Sequence, residues 1–468
     1  MLINLNNPIN IKDKFNKFDV VIVGAGPAGI TIANKLASYK KKIALIEAGD
    51  KEYSDESQEL YKGRTLGDPY FELDISRLRY FGGSSGHWAG WCRTFENEDF
   101  NREYLGDEFK WPIRFNEIDN YRKEACEILE ISNFFNDNMV KNSRIENISF
   151  NFSPPVRFGS KYFRDLVENK FVNVFINSNL VDITHSSNQL NAVKINSYNG
   201  NSADLYAKNF VFAMGGLENS RYLLWFQRKY GDSFIYNSPS IGRYWMEHPH
   251  YTIGRALINK NKVGGRFYTL SPSAQFENQI LNCCFRLEHL NDKSTEDLIK
   301  NLSIEAPKLG SSFAKMAKQK IIVGAKFRAV WEQFPNFENH IQLDTQMDRF
   351  GIPKLILNWE KANLDIKTIE KSISEFRDWL FKIDGGRIQI DQNWIKNPNQ
   401  EIGGHHHMGG TRMHADKRLG VVDSNCKVYG SKNLFIAGSS IFTTGGHNNP
   451  TLPIVQFSIR LSEHLRKL

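Results

Sequence analysis

Three glycines near the amino terminus have the spacing of a turn that binds a diphosphate. Gly24, Gly26 and Gly29 follow an apolar run at residues 20–23 and precede apolar residues at helical spacing. In such a turn the first glycine permits the tight bend, the second admits phosphates close to the backbone, and the third lets helix and strand pack closely. The amino-terminal end of the following helix then faces the negative charge. The motif therefore predicts a dinucleotide site.

An acidic residue extends this predicted site. Glu47 follows the next apolar run, residues 43–46, at about the twenty-residue offset where an acid can accept hydrogen bonds from a ribose diol. Pro27 suits the first turn of the helix, where a backbone N–H has no partner within the helix. The strand, helix and second strand form a βαβ unit. This motif alone leaves NAD and FAD open.

Three consecutive histidines, His405, His406 and His407, provide the second candidate chemistry. A histidine accepts a proton near neutral pH and therefore suits removal of a proton from a hydroxyl group. A metal site is disfavoured, because neighbouring side chains on a strand or loop point in different directions and no cysteine or carboxylate completes a familiar zinc spacing. We predict no metal at these histidines, and from the residues alone a packed or hydrogen-bonded histidine is the alternative to a catalytic one.

The elements that must position these residues repeat one order of strand, glycine turn and helix. A strand at residues 210–213 leads into Gly215 and Gly216 and then a helix. A last strand at residues 433–437 ends at Gly438 and precedes an apolar helix. Glycine pairs of this kind mark loops between periodic segments. We expect the carboxyl-terminal part of the chain to return to the first domain.

The middle of the chain has a different pattern. Residues 261–399 alternate short strands, at 340–344 and 354–359, with a long amphipathic helix at 364–383, which predicts a separate α+β unit. Residues 111–149, with a surface helix and an Asn-rich stretch, are interpreted as an excursion.

Composition excludes several classes of protein. With 468 residues, 41% hydrophobic and 24% charged, the chain has enough apolar material for two or three packed units and is not globally disordered. Its net charge of +8 is spread among residues of both signs, so nucleic acid is not an expected partner.

The five cysteines and the amino terminus bear on the compartment. The cysteines show no C-x-x-C spacing, which favours buried thiols in a reducing compartment. The amino-terminal residues lack the apolar stretch of a signal peptide, and no run of about 18 apolar residues occurs. We expect a soluble, cytoplasmic protein.

Several ordered blocks resemble the glucose-methanol-choline (GMC) oxidoreductase family over nearly the whole chain. Besides the first glycine motif, residues 79–88, RYFGGSSGHW, resemble the family's R-x-x-G-G-S-S loop along the flavin, and residues 179–181 resemble a strand that meets the adenine. Residues 213–218 resemble a second turn on the cofactor side, and residues 449–451, Asn-Pro-Thr, resemble part of the carboxyl-terminal signature. The resemblance favours the branch of pyranose 2-oxidase and bacterial sugar dehydrogenases.

The resemblance implies an α/β fold with FAD as cofactor. A Rossmann-like, discontinuous FAD-binding domain would comprise residues 1–110, 150–260 and 400–468, with an inserted α+β substrate-binding domain at 261–399. The residues implied in cofactor binding are Gly24, Gly26, Pro27, Ala28, Gly29, Glu47, Arg79, Gly83, Ser84, His87, Trp88, Val181, Ala213, Gly215, Gly438, Asn449, Pro450 and Thr451.

A covalent bond to the flavin is one further implication. In relatives similar to pyranose 2-oxidase, a histidine or threonine on the comparable loop is bonded to the flavin 8α position, and His87 lies on that loop here. Covalent attachment through His87 and noncovalent packing of its ring against the flavin both remain open.

The resemblance offers two alignments for the base. The family pattern is H-x-x-G-T-x-R-M-G, and this chain reads HHMGGTRMH from His406. If the R-M pair is aligned, His406 is the base and Gly410 replaces the usual threonine. If the G-T pair is aligned, His407 is the base and one residue is missing before the arginine. We favour His406, because a substitution is a smaller departure than a deletion.

Asn449, in the Asn-Pro-Thr motif, is implied as the partner of that base. It would hydrogen-bond the same substrate oxygen and hold it for transfer. His447 and Asn448 precede it and are alternatives, and a plain turn is the structural alternative for an Asn-Asn-Pro sequence.

The resemblance thus implies FAD-dependent oxidation of an alcohol group in a small sugar or sugar-derived substrate, with a hydride passing to flavin N5 and a proton to His406 or His407. A flavoprotein lyase or isomerase without net redox chemistry, or a non-catalytic flavin-binding subunit, are the alternatives. Oxygen, a quinone or a protein carrier are the candidate electron acceptors, and a partner subunit is left open.

Overall fold

Strands and helices are described for residues 1–7, 17–141, 143–154, 156–319, 321–391 and 404–468 of the computed structural model. The strands are β1 (Leu2–Asn4), β2 (Phe18–Val23), β3 (Ile43–Ile46), β4 (Arg64–Gly67), β5 (Trp91–Cys92), β6 (Asn138–Met139), β7 (Ile145–Ile148), β8 (Asn151–Phe152), β9 (Val172–Ile176), β10 (Asn179–Ser186), β11 (Gln189–Asn196), β12 (Ser202–Phe212), β13 (His250–Asn259), β14 (Phe267–Leu270), β15 (Cys283–His289), β16 (Ile322–Trp331), β17 (His340–Met347), β18 (Pro353–Trp359), β19 (Gly386–Ile390) and β20 (Leu434–Ile436). The α-helices are α1 (Pro27–Ser38), α2 (Asp55–Gln58), α3 (Asn116–Asp119), α4 (Arg122–Ile128), α5 (Phe158–Glu168), α6 (Gly215–Tyr230), α7 (Pro272–Asn278), α8 (Asp292–Glu305), α9 (Pro307–Lys318), α10 (Asn363–Lys382) and α11 (Thr451–Lys467).

The largest sheet of the described chain is parallel at its centre. Its strands follow the order β1-β9-β3-β2-β12-β11-β10, and β20 also pairs with β12. Strands β2, β3, β9, β12 and β20 are parallel, and β10 and β11 are antiparallel to their neighbours. The apolar runs that predicted β2 and β3 are almost entirely buried, as expected for parallel strands that are covered on both faces. The predicted βαβ unit is confirmed.

Four loops leave the carboxyl ends of parallel strands at one edge of this sheet. Gly24 follows β2, Glu47 follows β3, Met214 and Gly215 follow β12, and Gly438 lies just beyond β20. Ligands of open α/β sheets bind in the crevice outside this edge. The order of strand, glycine turn and helix seen in the sequence therefore brings both ends of the chain to one place.

A second, antiparallel sheet has one apolar and one polar face. Its strands follow the order β19-β13-β16-β15-β14-β7-β6. Helix α10 covers the apolar face, where the ring of Phe376 lies 5.0 Å from that of Phe285 and 5.6 Å from that of Phe327. Because side chains alternate along a strand, Arg286 and its cross-strand neighbour Arg328 project from the other face.

The second sheet draws strands from several parts of the chain. β6 and β7 lie within residues 111–149, which the sequence presented as an excursion, and β13 begins at His250, before the predicted insertion at 261–399. Within that insertion, β17 and β18 instead form a three-stranded sheet with β4. The predicted limit between residues 399 and 400 lies outside the described residues.

None of the described helices combines the length and apolarity needed to cross a membrane. The five cysteines are free and buried; they are Cys92, Cys126, Cys283, Cys284 and Cys426. Burial raises the pKa of the Cys126 thiol to about 11, so this thiol is protonated at neutral pH.

A buried ion network joins three elements beside the glycine-rich loops. Glu218 of α6 accepts from Arg77 Nη1 at 2.6 Å and from Arg221 Nη1 at 2.9 Å. Arg221 also donates to Asp348, at the turn between β17 and β18, at 2.7 Å. Burial alone would raise the pKa of Glu218, but Arg221 and Arg77 lower it below its usual range. The carboxylate is therefore charged in the folded protein.

Removal of this carboxylate tests the network. Glu218→Ala leaves Arg77 and Arg221 buried without their shared acceptor, so we expect the free energy of unfolding to fall by about 3–5 kcal/mol. Urea unfolding of the cofactor-loaded protein, followed by circular dichroism, measures this loss.

The matched control is Glu168→Ala, which removes an exposed partner 2.8 Å from Arg164. We expect this variant to lose no more than about 0.5 kcal/mol. Equal losses in the two variants would contradict a structural role for the buried network.

Candidate active site

A cavity of about 520 Å³ lies between the carboxyl edge of the large sheet and the polar face of the second sheet. Gly24, Gly215 and Gly438 line it from the first side, and His250 and Arg286 line it from the second. Its volume lies in the range of about 300–1,000 Å³ that is usual for cofactor and ligand sites.

Most of the residues predicted to bind the cofactor share one placement, because they line this cavity. They are Gly24, Gly26, Pro27, Ala28, Glu47, Gly83, Ser84, His87, Trp88, Ala213, Gly215, Gly438, Asn449, Pro450 and Thr451. These residues come from six separate segments of the chain, and the fold brings them together.

Three predicted cofactor residues lie outside the lining as far as the described residues show. A Cβ at Gly29 would lie 1.9 Å from the carbonyl oxygen of Gly24, so Gly29 serves the packing of helix on turn. Arg79 donates to Asn179 Oδ1 at 2.9 Å and thereby ties its loop to β10. Val181 lies within β10. These positions support the walls of the cavity.

The two glycine-rich loops are in direct contact. The backbone N–H of Gly82 donates to Ala25 O at 2.8 Å. A Cβ at Gly83 would lie 3.3 Å from Gly26 Cα, whereas a Cβ at Gly26 would meet nothing within 4 Å. The backbone around Gly26 is therefore open toward the cavity, as the approach of a diphosphate requires.

Three helices begin at the cavity wall. Residues from the first turns of α1, α6 and α11, namely Pro27, Gly216 and Thr451, line it. A helix N-terminus carries partial positive charge and free backbone N–H groups, which favour anionic groups. The three helix N-termini therefore suit a dinucleotide cofactor, which has anionic phosphates and an electron-accepting ring.

Glu47 provides an acceptor at the same edge. Its Oε2 accepts from the backbone N–H of Ala25 at 3.0 Å, and its Oε1 accepts from that of Gly49 at 3.0 Å. Burial raises the pKa of Glu47, against the effect of these hydrogen bonds. Each carboxylate oxygen keeps a further lone pair, so Glu47 can also accept from a ribose diol. The described residues therefore fit FAD.

The three histidines line the cavity, but their surroundings differ. His406 Nδ1 lies 2.9 Å from His248 Nδ1, and the backbone N–H of His406 donates to Glu247 Oε1 at 2.7 Å. Among the described residues His406 Nε2 has no hydrogen-bond partner. His405 packs its ring 4.3 Å from that of Phe71.

His407 is buried more deeply than His406. Its ring lies 5.7 Å from that of Trp245 and 6.2 Å from that of Tyr70. Its Nε2 is buried without a hydrogen-bond partner among the described residues, and its backbone oxygen accepts from Ser439 Oγ. Packing against aromatic rings therefore fixes this histidine.

Burial keeps these histidines neutral. It lowers the pKa of His406 well below the usual range, and the neighbouring histidines, His248 first, lower it further. It also lowers the pKa of His407, with Arg77 as the next cause. A neutral imidazole can accept a proton.

Asn449 lies on the cavity wall, close to Trp91. Its Nδ2 donates to Trp91 O at 2.8 Å, which leaves Oδ1 and one N–H hydrogen free to contact a ligand. His447 and Asn448, the alternatives from the sequence, are buried and do not belong to the described lining.

The sequence analysis missed the second wall of the cavity. The overlooked lining residues are Tyr61, Arg77, Trp91, His250, Arg286 and Val330. The sequence CCFRLEH, residues 283–289, did contain a signal for Arg286. Side chains alternate between the two faces of a strand, so an arginine on a half-buried strand faces away from the apolar core. It also missed Glu247, which accepts from Tyr70 and from two backbone N–H groups of the histidine region.

Two family models match parts of the chain. The model described as GMC oxidoreductase matches residues 335–458, which include the histidines and Asn449. The model described as pyridine nucleotide-disulphide oxidoreductase matches residues 18–67, which include the glycine turn and Glu47. Two separate segments that line the predicted cofactor site thus have counterparts in known families.

Several known proteins are similar over nearly their whole length. The fructose dehydrogenase large subunit of Gluconobacter japonicus is 22% identical, with 95% of this chain and 97% of that protein covered. The 2-methyl-1,2-propanediol dehydrogenase of Mycolicibacterium austroafricanum is 21% identical, with 96% and 95% covered. The crystal structure of pyridoxine 4-oxidase from Mesorbium loti has a TM-score of 0.58 at 16% identity, with 96% and 99% covered, which shows a shared fold.

The family match over residues 335–458, the full-length relatives and the fold agree with the resemblance seen in the sequence. Residues 335–458 thus match the GMC oxidoreductase family, and the chain is an FAD-dependent oxidoreductase that is similar over nearly its whole length to known dehydrogenases.

Proposed function

We propose that this enzyme oxidises an alcohol group of a sugar or sugar-derived substrate, with His406 as the base that removes the hydroxyl proton. The observation that carries the proposal is the environment of His406: its Nδ1 is held by His248, its backbone N–H donates to Glu247, and the residue lines the cavity. FAD supplies a hydride acceptor, flavin N5, when it is bound in this cavity.

The pair of histidines orients the base. One Nδ1 of the His406–His248 pair must carry the hydrogen that lies between them, because a neutral imidazole has one donor and one acceptor nitrogen. When His406 Nδ1–H donates to His248, its Nε2 is the bare nitrogen that accepts the substrate proton. An alcohol that loses its proton becomes a better hydride donor, so the base acts before or during transfer.

Asn449 holds the oxygen that His406 deprotonates. It lines the same cavity, and its bond to Trp91 O fixes the amide plane. A second hydrogen bond from its Nδ2 stabilises the alkoxide character that develops as the proton leaves. Holding the oxygen at two points also limits the orientations of the reacting carbon.

His407 is the alternative base, and two features favour His406 over it. His407 packs against Trp245 and Tyr70, and no histidine or carboxylate within the described ranges hydrogen-bonds its Nδ1 to set the tautomer. His406 has such a partner in His248. We therefore propose that His407 shapes the wall beside the flavin.

A sugar-derived substrate has separate support. The chain is similar along its whole length to a protein named fructose dehydrogenase large subunit. The wall that faces the base carries His250, Arg286 and Trp91, which offer hydrogen bonds and an aromatic face to a polyol. Covalent attachment through His87, the electron acceptor and a partner subunit stay predictions.

Substitution of each histidine distinguishes the two candidate bases. We expect His406→Ala to lower the rate constant for flavin reduction by about 10²–10⁴-fold, because the substrate proton loses its acceptor. His407→Ala is expected to lower it much less at equal FAD content. Anaerobic stopped-flow mixing with a panel of sugars and polyols, monitored by loss of flavin absorbance, measures both.

If His407→Ala abolished reduction and His406→Ala did not, His407 would be the base. If no substrate class bleached the flavin of the wild type, oxidation of sugars would be excluded and a reaction without net redox chemistry would be favoured.

The pH dependence follows from the buried state of His406. A base works in its neutral form, which predominates above its pKa, and burial lowers the pKa of His406. We therefore expect the rate constant for flavin reduction to stay constant from pH 8 down through about 6.5, the usual histidine value, and to fall only at lower pH. A decline centred above that value would contradict a buried, neutral base.

Substitutions at two glycines distinguish an effect on packing from an effect on cofactor binding. Gly29→Ala places a methyl group against the carbonyl of Gly24, so we expect loss of about 1–3 kcal/mol of stability even in apoprotein. Gly26→Ala points into open space and should leave apoprotein stability unchanged, but raise the Kd for FAD about tenfold or more by blocking the diphosphate. Thermal melts and FAD titration measure these effects.

Gly264→Ala is the control, because a Cβ at this exposed position meets nothing within 4 Å and lies outside the cavity. Its melting temperature and FAD affinity should match the wild type. An unchanged FAD affinity in Gly26→Ala would contradict the proposed path of the diphosphate.

A further inference from the structure

We propose that the substrate carries an oxyanion, a carboxylate or a phosphate, and that Arg286 binds it at the wall of the second sheet. This inference rests on the proposed function, because it names the class of substrate that the same cavity accepts. It extends that proposal by assigning a binding role to a residue that neither the glycine motifs nor the histidine motif includes.

Arg286 reaches the cavity from the polar face of β15. Its neighbours along the strand, Phe285 and Leu287, point into the apolar core under α10. Arg286 therefore points the other way and lines the cavity, together with His250 of β13 and Val330 of β16. The strand register places Arg328 of β16 directly opposite it.

Positive charge around Arg286 exceeds the negative charge that is near it. Glu288 is the carboxylate beside it, with Oε2 3.9 Å from Arg286 Nη2 and 3.3 Å from Arg328 Nη1. Arg266 adds a third guanidinium, 4.9 Å from the ring of Trp91, over which Arg286 also lies at 5.8 Å. Glu288 thus pairs with two of these three guanidinium groups, and no second carboxylate of the described chain forms an ion pair with them.

Several donors of this cluster have no partner among the described residues. Arg286 Nε, Arg328 Nε and His250 Nε2 are buried atoms without a hydrogen bond. A buried donor left unpaired costs about 1–3 kcal/mol, so such a group is expected to meet a ligand or water. Burial lowers the pKa of Arg286, and Arg266 lowers it further, as expected for a cation without enough counter-charge.

Arg286, His250 and the proposed base line the same cavity. Burial lowers the pKa of His250, and the nearby charges of Arg328 and Arg286 lower it further. His250 follows His248 by two residues, and His248 contacts His406. An oxyanion on Arg286 would therefore place another part of the same molecule at His406 and Asn449. A guanidinium binds carboxylate and phosphate in the same forked geometry.

The cofactor's own phosphates do not account for this cluster. Their predicted cradle is formed by the loops at Gly24 and Gly83 and by the start of α1, on the large sheet. Arg286 lies on the opposite wall, with Trp91 and Val330. The excess positive charge therefore faces the space that remains for a substrate.

The first test compares matched substrates of the FAD-loaded enzyme. D-glucose, D-glucuronate and D-glucose 6-phosphate, and the corresponding galactose set, differ only in the group at C6. We expect kcat/KM for one anionic member to exceed that of its neutral parent by about tenfold or more. Preference for the uronate identifies a carboxylate, and preference for the sugar phosphate identifies a phosphate.

Arg286→Met is expected to lower this ratio of anionic to neutral substrate by roughly 10- to 100-fold, mainly through KM. Arg255→Met is the matched control, since Arg255 is an exposed arginine of β13 in the same sheet and outside the described lining. An equal preference for neutral sugars in the wild type, or an unchanged ratio in Arg286→Met, would overturn the inference.

A binding measurement separates this inference from the proposed reaction. Acetate and inorganic phosphate, titrated into the FAD-loaded enzyme, should perturb the flavin absorbance with a Kd at least about tenfold lower in wild type and Arg255→Met than in Arg286→Met. Equal Kd values in all three proteins would overturn the anion site. Anion binding that depends on Arg286, without flavin reduction by any sugar, would support the site and exclude the proposed oxidation.

Discussion

The whole site depends on the shared carboxyl edge of one parallel sheet. Strands β2, β3, β12 and β20 come from both ends and the middle of the chain, yet they end side by side. Each is followed by a turn or residue that lines the cavity. Because parallel strands need crossover connections, their loops gather on one side, and helices α1 and α6 begin there with their positive ends toward the ligand.

The second sheet forms the opposite wall of the cavity, and the alternation of side chains along its strands determines which residues reach that wall. Its antiparallel strands bury one face under α10, with Phe285, Phe327 and Phe376 in contact. Strand alternation then leaves the other face for polar side chains, and the cavity receives His250 and Arg286 from it. One wall therefore carries backbone donors and helix ends, and the other carries the Arg286 guanidinium, for which we propose a role in substrate binding.

The position of the candidate base depends on a buried carboxylate outside the histidine motif. Glu247 accepts from the Tyr70 hydroxyl and from the backbone N–H groups of His248 and His406. Burial raises its pKa to about 7, against these three hydrogen bonds. The same segment supplies the His248 ring that meets His406. A contact between residues far apart in sequence thus sets the orientation of the proposed base.

The sequence by itself determined the βαβ unit, the glycine turns and the set of histidines, because spacing of glycines and apolar residues reports local conformation directly. It favoured His406 over His407 only by the smaller departure from the motif, and the different neighbours of the two rings, His248 beside His406 and Trp245 beside His407, give that proposal separate support. The sequence analysis assigned β13 to the FAD-binding domain and β7 to the excursion at residues 111–149, whereas both strands join the second sheet. Tertiary structure decided the partners of these strands and the wall formed by Arg286, because strand pairing and burial bring together residues whose separation along the chain carries no local signal.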